Sequence, residues 1–428
     1  MRPGCGRSAP GGQDGQVPED ATPAPVVALV EVGDTLRVPY VTGIQRTVRE
    51  VLRHWPEDAA VRLVPVVHTG RRFRTLTPEE QAALAAEPGG PDSVAPRGGW
   101  RDVARRVPGA VRAHALATKA RHALAHRRWS ELFVDFEAGT MLFDLEATWW
   151  SPATRTELLP GLKAQGVRVA TLVYDLMPLR NPEWFDPENR AVFVPWARAQ
   201  LAHADLAICF SRFCADEVAD HGGPPTALFV PGADPTDVVA SRPGALPDDD
   251  LPFVLTVGTV EPRKNVGLLL DAFERLWAEG RAARLVVVGR EGWHVEELVE
   301  RLRRHPELGR RLIWVGWMPD AEVDWLYRHA HAVAVPSRCE GYGLPVVEGL
   351  RRGAPVVSST GGSLPEVGGD AVTYADPDDV DAWAVALGSH LRGDRAVVSE
   401  DELPPAVTAT WAGAARTIAG HLAELAGR

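Results

Sequence analysis

Apolar residues recur with strand and helix spacing along most of the chain, from Pro25 onward. The run VVALVEV predicts a strand, GDTLRVPYVTG a loop, and IQRTVREVLRHW a helix with Ile44, Val48, Val51 and Leu52 on one side. Five further strands are predicted from VRLVPVV, MLFDL, RVATLVYD, LAICF and TALFV. Helical stretches between them indicate a parallel sheet with helices on both faces.

A second series of strands follows the segment SRPGALPDDD, which is dense in Pro, Gly and Asp and is predicted to be a linker. The runs PFVLTV, RLVVVG, RLIWVG, AVAVPS, APVVSS and AVTYA predict these strands. A closing helix around residues 408–427 has one apolar face and is expected to dock on a domain. The predicted fold class is α/β, with two Rossmann-like, doubly wound domains facing a central cleft.

The patterns also predict the domain boundaries. Residues 1–24 are rich in Gly, Pro and polar residues and are expected to be a disordered tail. The first domain is expected over 25–240, with a basic helical insertion at about 71–130, and the linker over 241–250. The second domain is expected over 251–404, followed by the docking helix over 405–428.

The composition agrees with a globular protein of two large domains, since the 428 residues are 45% hydrophobic and 24% charged. No apolar run approaches the roughly 18 to 20 residues that span a bilayer, and the first residues have no hydrophobic segment typical of a signal peptide. A cytoplasmic location is therefore expected. The cysteines, which are Cys5, Cys209, Cys214 and Cys339, show no disulfide or metal-ligand spacing, as is usual in a reducing compartment.

The net charge of -11 argues against a general nucleic-acid binder. One stretch is nevertheless strongly basic: between Arg97 and Arg128 the Lys and Arg residues face a single acid, Asp102. Two interpretations remain open. The stretch contacts an anionic membrane surface or a lipid phosphate at the inner face of the membrane, or it is a solvated helical face.

The run PSRCEGYGLPVVEGLRRGAPVVSS contains the strongest candidate site. A strand is predicted to end near Val335, and glycines allow close approach of a ligand before a helix begins near Leu344. Because a helix start binds anions, it suits a diphosphate. Glu348 lies one turn into the helix and could reach a ribose, whereas Glu340 in the loop could reach a sugar. Alternatively, Glu340 is only a loop acid and Glu348 only complements the helix dipole.

A second candidate segment is the strand PFVLTV followed by GTVEPRKN and the helix VGLLLDAFERLW. Arg263 and Lys264 lie in the loop between strand and helix. Fixed cations at such a place can neutralise the charge that develops on a departing diphosphate. Surface Arg-Lys pairs are also common, so this segment alone does not identify a site.

Together these segments resemble the retaining family-4 glycosyltransferases of GT-B fold, a group that includes many bacterial mannosyltransferases. The family's two glutamates with seven residues between them are matched by Glu340 and Glu348. Its GT-x-EPRKN loop is matched by residues 258–265, and its GGxxPEV segment lies within residues 361–369. The resemblance covers most of the chain after about residue 25. It implies an acceptor-side first domain and a second domain that binds the nucleotide sugar.

The resemblance also implies roles for individual residues. Lys264 contacts the donor diphosphate, Glu340 the transferring sugar and Glu348 the ribose. Some members carry an arginine where this chain has Thr259, so one phosphate contact is expected to pass to Arg263. The expected donor-binding residues are Gly43, Thr259, Arg263, Lys264, Glu340, Gly341, Tyr342, Gly343, Leu344 and Glu348.

The first half carries two matching segments. TGIQRTVRE resembles the family's glycine loop and first helix, with Gly43 leaving room for donor phosphates and acceptor, although a glycine there could also only make the turn. VYDLMPLRNPEWF resembles the segment with a His-Asp pair at the reacting sugar; here Tyr174 replaces the histidine and Asp175 is kept. Asp175 could also merely cap a turn. The expected catalytic residues are Glu340, Lys264 and Asp175.

The nucleobase is expected near the loops after RLVVVG and RLIWVG, around Gly289, Arg290, Trp317 and Met318, with Trp317 alternatively in the core. No metal and no other cofactor are expected. The acidic runs Asp248 to Asp250 and Asp376 to Asp379 are interpreted as solvated acids instead of a magnesium site.

The predicted function is a retaining transfer of a hexose, with mannose from GDP-mannose preferred, to a glycan or lipid-linked acceptor in polysaccharide biosynthesis. UDP- and dTDP-sugars remain open as donors. An epimerase or inverting transferase on the same scaffold is a second interpretation, which the spacing of the two glutamates disfavours. A non-catalytic nucleotide-sugar-binding partner protein is a third.

Overall fold

The computed structural model describes residues 25–37, 42–70, 72–86, 132–137, 139–151, 153–234 and 239–428. The predicted tail over 1–24 lies outside these residues, as does the basic stretch from Arg97 to Arg128.

Eight strands form the sheet of the first half, and each strand predicted from an apolar run is present. They are β1 (Val26–Glu31), β2 (Val61–His68), β3 (Phe73–Thr75), β4 (Phe133–Val134), β5 (Met141–Asp144), β6 (Arg168–Val173), β7 (Leu206–Cys209) and β8 (Thr226–Leu228). Their order is β4-β3-β2-β1-β5-β6-β7-β8. Six neighbouring strands of this order are parallel, as predicted: β2, β1, β5, β6, β7 and β8.

Helices cover both faces of this sheet. They are α1 (Gly33–Arg37), α2 (Gly43–Arg53), α3 (Pro78–Ala85), α4 (Arg155–Ala164), α5 (Met177–Arg180), α6 (Pro187–His203) and α7 (Arg212–Asp220). Helix α1 lies where the sequence predicts only a loop. Its formation depends on a buried carboxylate from another part of the chain, described below.

The start of the expected helical insertion is a β-hairpin instead. Strand β3 pairs antiparallel with β2, and β4 pairs antiparallel with β3. Gly70, with φ +89°, reverses the chain between β2 and β3. Phe73 then packs its ring edge-on against His68 and Phe136. These contacts favour a strand because they bury an aromatic side chain against its neighbours on the sheet.

The sheet of the second half has six strands, all parallel and all predicted. They are β9 (Phe253–Val257), β10 (Arg284–Val288), β11 (Leu312–Val315), β12 (Ala332–Val335), β13 (Val356–Ser358) and β14 (Val372–Tyr374). Their order is β11-β10-β9-β12-β13-β14. The helices of this half are α8 (Val266–Ala278), α9 (Glu296–Arg304), α10 (Asp320–His329), α11 (Leu344–Arg351), α12 (Leu364–Gly368), α13 (Val380–His390) and α14 (Pro405–Thr408).

The final helix, α15 (Trp411–Gly427), returns to the first half. Its buried face includes Trp411, Ile418 and Leu422, and the helix packs against α2, β2 and β6. The chain therefore crosses between the halves twice, and the two crossings are bonded to each other. The Ala233 amide donates to the Ala409 carbonyl over 2.9 Å, and the Trp411 amide donates to Asp234 Oδ2 over 2.6 Å.

Each sheet has one point where the strand order reverses direction. In the first sheet it lies between β1 and β5, and in the second between β9 and β12. Ligands of open α/β sheets bind at the carboxyl ends of strands beside such points. The loops after β1, β5, β9 and β12 are therefore where a site is expected, and the second-half loops are those that carry Lys264 and Glu340.

Candidate active site

A compact cluster of charged side chains forms where β9 and β12 end. After β9 the chain passes Gly258, with φ +144°, and makes one 3-10 turn over Pro262–Lys264. Asn265, with φ 53°, then begins α8, and its side-chain amide donates to the Pro377 carbonyl over 2.7 Å. This tight turn aims Lys264 at the loop that follows β12.

Glu340 in that loop is buried and accepts three hydrogen bonds through its carboxylate. Lys264 Nζ donates to Oε1 over 2.6 Å, Arg263 Nη1 to Oε2 over 2.7 Å, and Ser337 Oγ to Oε1 over 2.6 Å. Burial alone would raise the pKa of Glu340, but Lys264 and Arg263 outweigh burial and lower this pKa to about 2. The carboxylate is therefore charged at neutral pH.

Arg263 and Asp175 extend the cluster towards the first half. Arg263 Nε also contacts Glu261 Oε1 at 2.6 Å. Asp175 follows β6 and accepts from the Met177 amide over 3.1 Å, as its alternative interpretation as a turn cap requires. Burial raises the pKa of Asp175, and the charge of Arg263 opposes this rise. The structure thus brings together all three residues that the sequence proposes as catalytic.

The two halves touch closely at this point. A Cβ atom on Gly341 would lie 2.2 Å from the Tyr174 carbonyl oxygen, so no larger residue fits there. Ser211 Oγ donates to the Gly341 carbonyl over 2.7 Å, and the rings of Tyr342 and Phe210 lie 5.8 Å apart. These expected donor-binding residues therefore also form the contact between the halves.

The side chain of Tyr174, at the position where the family resemblance implies a histidine, is held within the first half. Its hydroxyl donates to the Leu145 carbonyl over 2.8 Å, and its ring packs edge-on against Phe210. Both partners belong to the first half. The position that precedes Asp175 therefore presents no polar side-chain group to a sugar.

Helix α11 begins at Leu344, as predicted, after Gly343 with φ 105°. A Cβ atom on Gly43, the first residue of α2, would lie 3.0 Å from Leu344 Cδ1. The starts of α2 and α11 therefore face each other across the contact between the halves. Since each helix start carries partial positive charge, this is a favourable place for an anion.

Glu348 contacts both halves. Arg46 Nη1 of α2 donates to Glu348 Oε1 over 3.0 Å, and the Tyr327 hydroxyl donates to Oε2 over 2.8 Å. The sequence alone does not single out Arg46, Tyr327 or Ser337. Arg46 lies inside the TGIQR segment, so the resemblance of that segment to the family could have indicated Arg46 as a site residue. Tyr327 is placed by α10 and had no local signal.

The expected nucleobase residues lie in two adjacent loops. A Cβ atom on Gly289 would lie 1.7 Å from the Gly258 carbonyl oxygen, so this glycine allows the β9 and β10 loops to pack together. Arg290 is exposed and Thr259 half-buried. Trp317 is 53% exposed and therefore is not a core residue, whereas Met318 is buried in the core. Trp317 is the aromatic side chain that remains accessible at this edge.

The two acidic runs are not simply solvated. Asp249 accepts two hydrogen bonds from buried Arg284, which anchors the predicted linker to the second half. Asp378 pairs with Arg338, and Asp379 caps the start of α13.

Among the residues that the structure describes, no cluster of three or more His, Cys, Asp or Glu could hold a metal ion. In the same residues, no helix has the length and apolar character needed to traverse a bilayer.

A network of buried polar side chains holds the segment that contains Gly43 in place. Both oxygens of Glu146 accept backbone amides at the start of α1, from Asp34 over 2.7 Å and from Thr35 over 2.9 Å. Asp34 in turn accepts from Gln45 Nε2 over 3.1 Å. Gln45 caps α2 together with Thr42. The network therefore fixes α1 and α2 relative to each other and positions Gly43.

Replacing Glu146 by glutamine is expected to change how stability depends on pH. Burial raises the pKa of Glu146 to about 8, assisted by Glu31. The folded chain then binds this proton more tightly than the unfolded chain, whose glutamate pKa is about 4.3. Stability from this group is present below the unfolded pKa and is lost as the pH rises to about 8, by at most about 1.4 kcal/mol per pH unit.

The measurement is the free energy of unfolding in urea between about pH 5 and pH 8. The Glu146→Gln protein is expected to show a shallower decline than wild type. Glu157→Gln, at an exposed glutamate on α4, is the matched control and is expected to follow wild type. Equal slopes for Glu146→Gln and wild type would show that this glutamate does not bind the extra proton.

Comparisons with known proteins agree with this geometry. Residues 240–398 match the family model described as glycosyl transferases group 1. The chain is 35% identical over 217 residues to the serotype-specific mannosyltransferase WbdA of Escherichia coli, covering 46% of this chain and 26% of WbdA. It is 38% identical over 165 residues to the O-antigen chain mannosyltransferase B of Escherichia coli, covering 37% of this chain and 42% of that protein. The chain thus spans less than half the length of these relatives.

Most of the chain also resembles a solved structure. The crystal structure of HepE from Anabaena in complex with UDP and glucose aligns with a TM-score of 0.54 and 16% identity, covering 92% of this chain and 95% of HepE. At this identity the likeness concerns the fold, which is GT-B as predicted. These matches confirm the resemblance seen in the motifs, and residues 240–398 match the group 1 glycosyltransferases.

Proposed function

We propose that the protein is a retaining glycosyltransferase that transfers a hexose, with mannose from GDP-mannose as first candidate, to a glycan or lipid-linked acceptor in polysaccharide biosynthesis. The observation that carries the proposal is the cluster of Lys264, Arg263 and Glu340 beside the facing starts of α2 and α11. Mannose is preferred because the WbdA and O-antigen relatives are named mannosyltransferases.

The cluster suits departure of a diphosphate. The cations of Lys264 and Arg263 and the starts of α2 and α11 would surround the group on which negative charge develops. The two cations are held in place by Glu340 and Glu261. Such preorganised charge stabilises a transition state without rearrangement. Lys264 would contact the diphosphate, as the family resemblance implies, and no metal ion would be required. Ser337 and the two cations fix the carboxylate of Glu340, which would position the sugar.

Retention of configuration follows if the acceptor attacks from the face that the leaving group vacates. In that mechanism the departing phosphate accepts the proton of the acceptor hydroxyl, so no protein base is needed. The placement of Tyr174 agrees with this, since it offers no basic side chain beside Asp175. Trp317, exposed at the edge of the β10 and β11 loops, would stack on the nucleobase. The Arg97 to Arg128 stretch would meet an anionic membrane or a lipid-linked acceptor.

The test is a panel of GDP-mannose, UDP-glucose and dTDP-glucose, scored by thermal shift and by slow donor hydrolysis in the presence of a chelator. One donor is expected to stabilise the wild type and to be hydrolysed without metal. Glu340→Gln is expected to abolish hydrolysis, whereas Glu297→Gln, at an exposed glutamate on α9, should not. Loss of hydrolysis in chelator that is restored by Mg²⁺ would contradict the metal-independent mechanism.

A second candidate function, a nucleotide-sugar-binding partner without turnover, is favoured by one observation. The side chain at the position of the family's histidine is withdrawn into the first half. Thermal stabilisation by a nucleotide sugar, with no hydrolysis and no transfer to any acceptor glycan supplied, would select this function over catalysis.

A further inference from the structure

Arg46 is a charged residue of the first half whose side chain is bound to the second half. It lies in the first turn of α2, three residues after Gly43. Its guanidinium donates to Glu348 Oε1 over 3.0 Å, and about a third of the Arg46 side chain is exposed. The other carboxylate oxygen accepts from Tyr327. The ion pair therefore joins the halves directly beside the donor-site cluster.

Several other charged groups face this pair. Burial raises the pKa of Asp320, at the start of α10, and the positive charge of Arg46 opposes this rise. Arg352 of the second half donates to the Glu348 carbonyl over 3.2 Å and interacts with its charge. The guanidinium of Arg352 forms its own ion pair with Asp324 over 2.6 Å. Arg46 is the cation that comes from the opposite half.

An arginine at this place has two possible anionic partners in the proposed reaction. One is the carboxylate of Glu348, which would accept hydrogen bonds from the ribose hydroxyls of the donor. The other is the diphosphate expected between the starts of α2 and α11. A ribose bound at Glu348 would compete with Arg46 for the same oxygen atoms. A guanidinium displaced by neutral hydroxyls favours a nearby phosphate, with which it forms charge-assisted, bidentate hydrogen bonds.

We propose that Arg46 is a ligand of the donor diphosphate, and that it transfers from Glu348 to a phosphate oxygen when the ribose takes its place. This inference rests on the proposed function and adds a residue to it. Lys264 and Arg263 approach the diphosphate from the second half, and Arg46 approaches from the first. Binding of the donor would then hold the halves together through its own phosphates.

The test compares, for each base, a nucleoside with its own phosphates, so that the sugar is the same and only the phosphate differs. Affinities of guanosine, uridine and thymidine, and of their mono- and diphosphates, are measured by calorimetry for wild type, Arg46→Gln and Arg46→Lys. In Arg46→Gln, the affinity for the preferred nucleoside diphosphate is expected to fall by about 10- to 100-fold, as for loss of a charged hydrogen bond. The affinity for the nucleoside is expected to stay equal or to rise, because Glu348 loses its competitor.

Arg53→Gln is the matched control, because Arg53 lies on the same helix and pairs with Glu50 of that helix at the surface. It removes the same charge and is expected to leave all affinities at wild-type values. Arg46→Lys keeps the positive charge and is expected to retain part of the preference for the diphosphate. If Arg46→Gln does not fold, the ratio of diphosphate to nucleoside affinity in Arg46→Lys, which is expected to be below the wild-type ratio, decides the question.

Two results would overturn the inference alone. Nucleoside and diphosphate affinities that rise together in Arg46→Gln would mean that Arg46 only blocks Glu348. Unchanged affinities would mean that it contacts neither ligand. A wild type that binds no nucleoside diphosphate at all would instead overturn the proposed function, and the inference with it.

Discussion

Lys264→Met is expected to reduce donor hydrolysis and sugar transfer by about 10²- to 10³-fold, the usual loss when one preorganised donor to a developing negative charge is removed. Lys264 Nζ lies 2.6 Å from Glu340 Oε1, and the 3-10 turn over Pro262–Lys264 fixes its position. The measurement is turnover of the preferred donor under saturating conditions. The loss is expected in kcat more than in KM, because the diphosphate charge grows as the bond breaks.

Lys163→Met is the matched control. Lys163 forms an ion pair with Asp205 in the first half and is partly exposed, as an ordinary surface lysine is. It is expected to leave turnover unchanged. A Lys264→Met protein that keeps wild-type kcat while folding normally would remove this lysine from the mechanism and leave Arg263 as the phosphate contact of that half.

Arg155→Met is expected to lower the free energy of unfolding by about 3 to 5 kcal/mol, the cost of removing one partner of a buried ion pair. Arg155 is almost completely buried beneath the carboxyl ends of β1 and β5. It donates to both oxygens of Asp144, over 2.6 and 2.7 Å, and to Glu31 over 2.8 Å. Without the guanidinium, both carboxylates would remain buried with too few hydrogen-bond donors.

Urea unfolding at neutral pH measures this effect. Arg72→Met is the control, because Arg72 pairs with Asp135 on the surface, where an ion pair contributes about 1 kcal/mol or less. A loss for Arg155→Met as small as that for Arg72→Met would show that the cluster relaxes or takes up protons without cost. The first sheet would then not depend on this arginine.

The apolar runs were sufficient to predict the parallel strands of both sheets, because most of these strands are buried on their two faces. Such strands appear as short continuous apolar segments between helices, as for Phe253–Val257 and Arg284–Val288. The helix after GTVEPRKN was predicted for the same reason: its apolar side chains at helical spacing, among them Leu269 and Phe273, are buried. Local pattern and tertiary burial agree in these elements.

Elements that depend on distant residues were not predictable. Helix α1 has only five residues and is held by Glu146, which is more than a hundred positions away in the chain. The antiparallel β3 depends on a turn at Gly70 and on aromatic packing against Phe136. The sequence around each of these elements favours a loop or a helix.

The site residues also divide into those that a local motif reveals and those that depend on residues distant in the chain. Lys264 and Glu340 were found because each lies in a motif, and the structure adds that they contact each other. The pairing of Arg46 with Glu348 joins residues 302 positions apart in the chain, so no local pattern could show it. The withdrawn side chain of Tyr174 could not be read from the substitution alone, because the orientation of its ring is set by Phe210.

The bonded pair of crossings at Ala233 and Ala409 limits the motions available to the two halves. Two domains joined by a single connecting segment can rotate relative to each other about any axis. Two adjacent connecting segments restrict this rotation to a hinge motion about a single axis. Arg46 and Glu348 would then keep the same alignment in any movement of one half against the other. A protease that nicked one crossing would leave the other intact, so the halves would stay together and the protein would still migrate as one particle in size-exclusion chromatography.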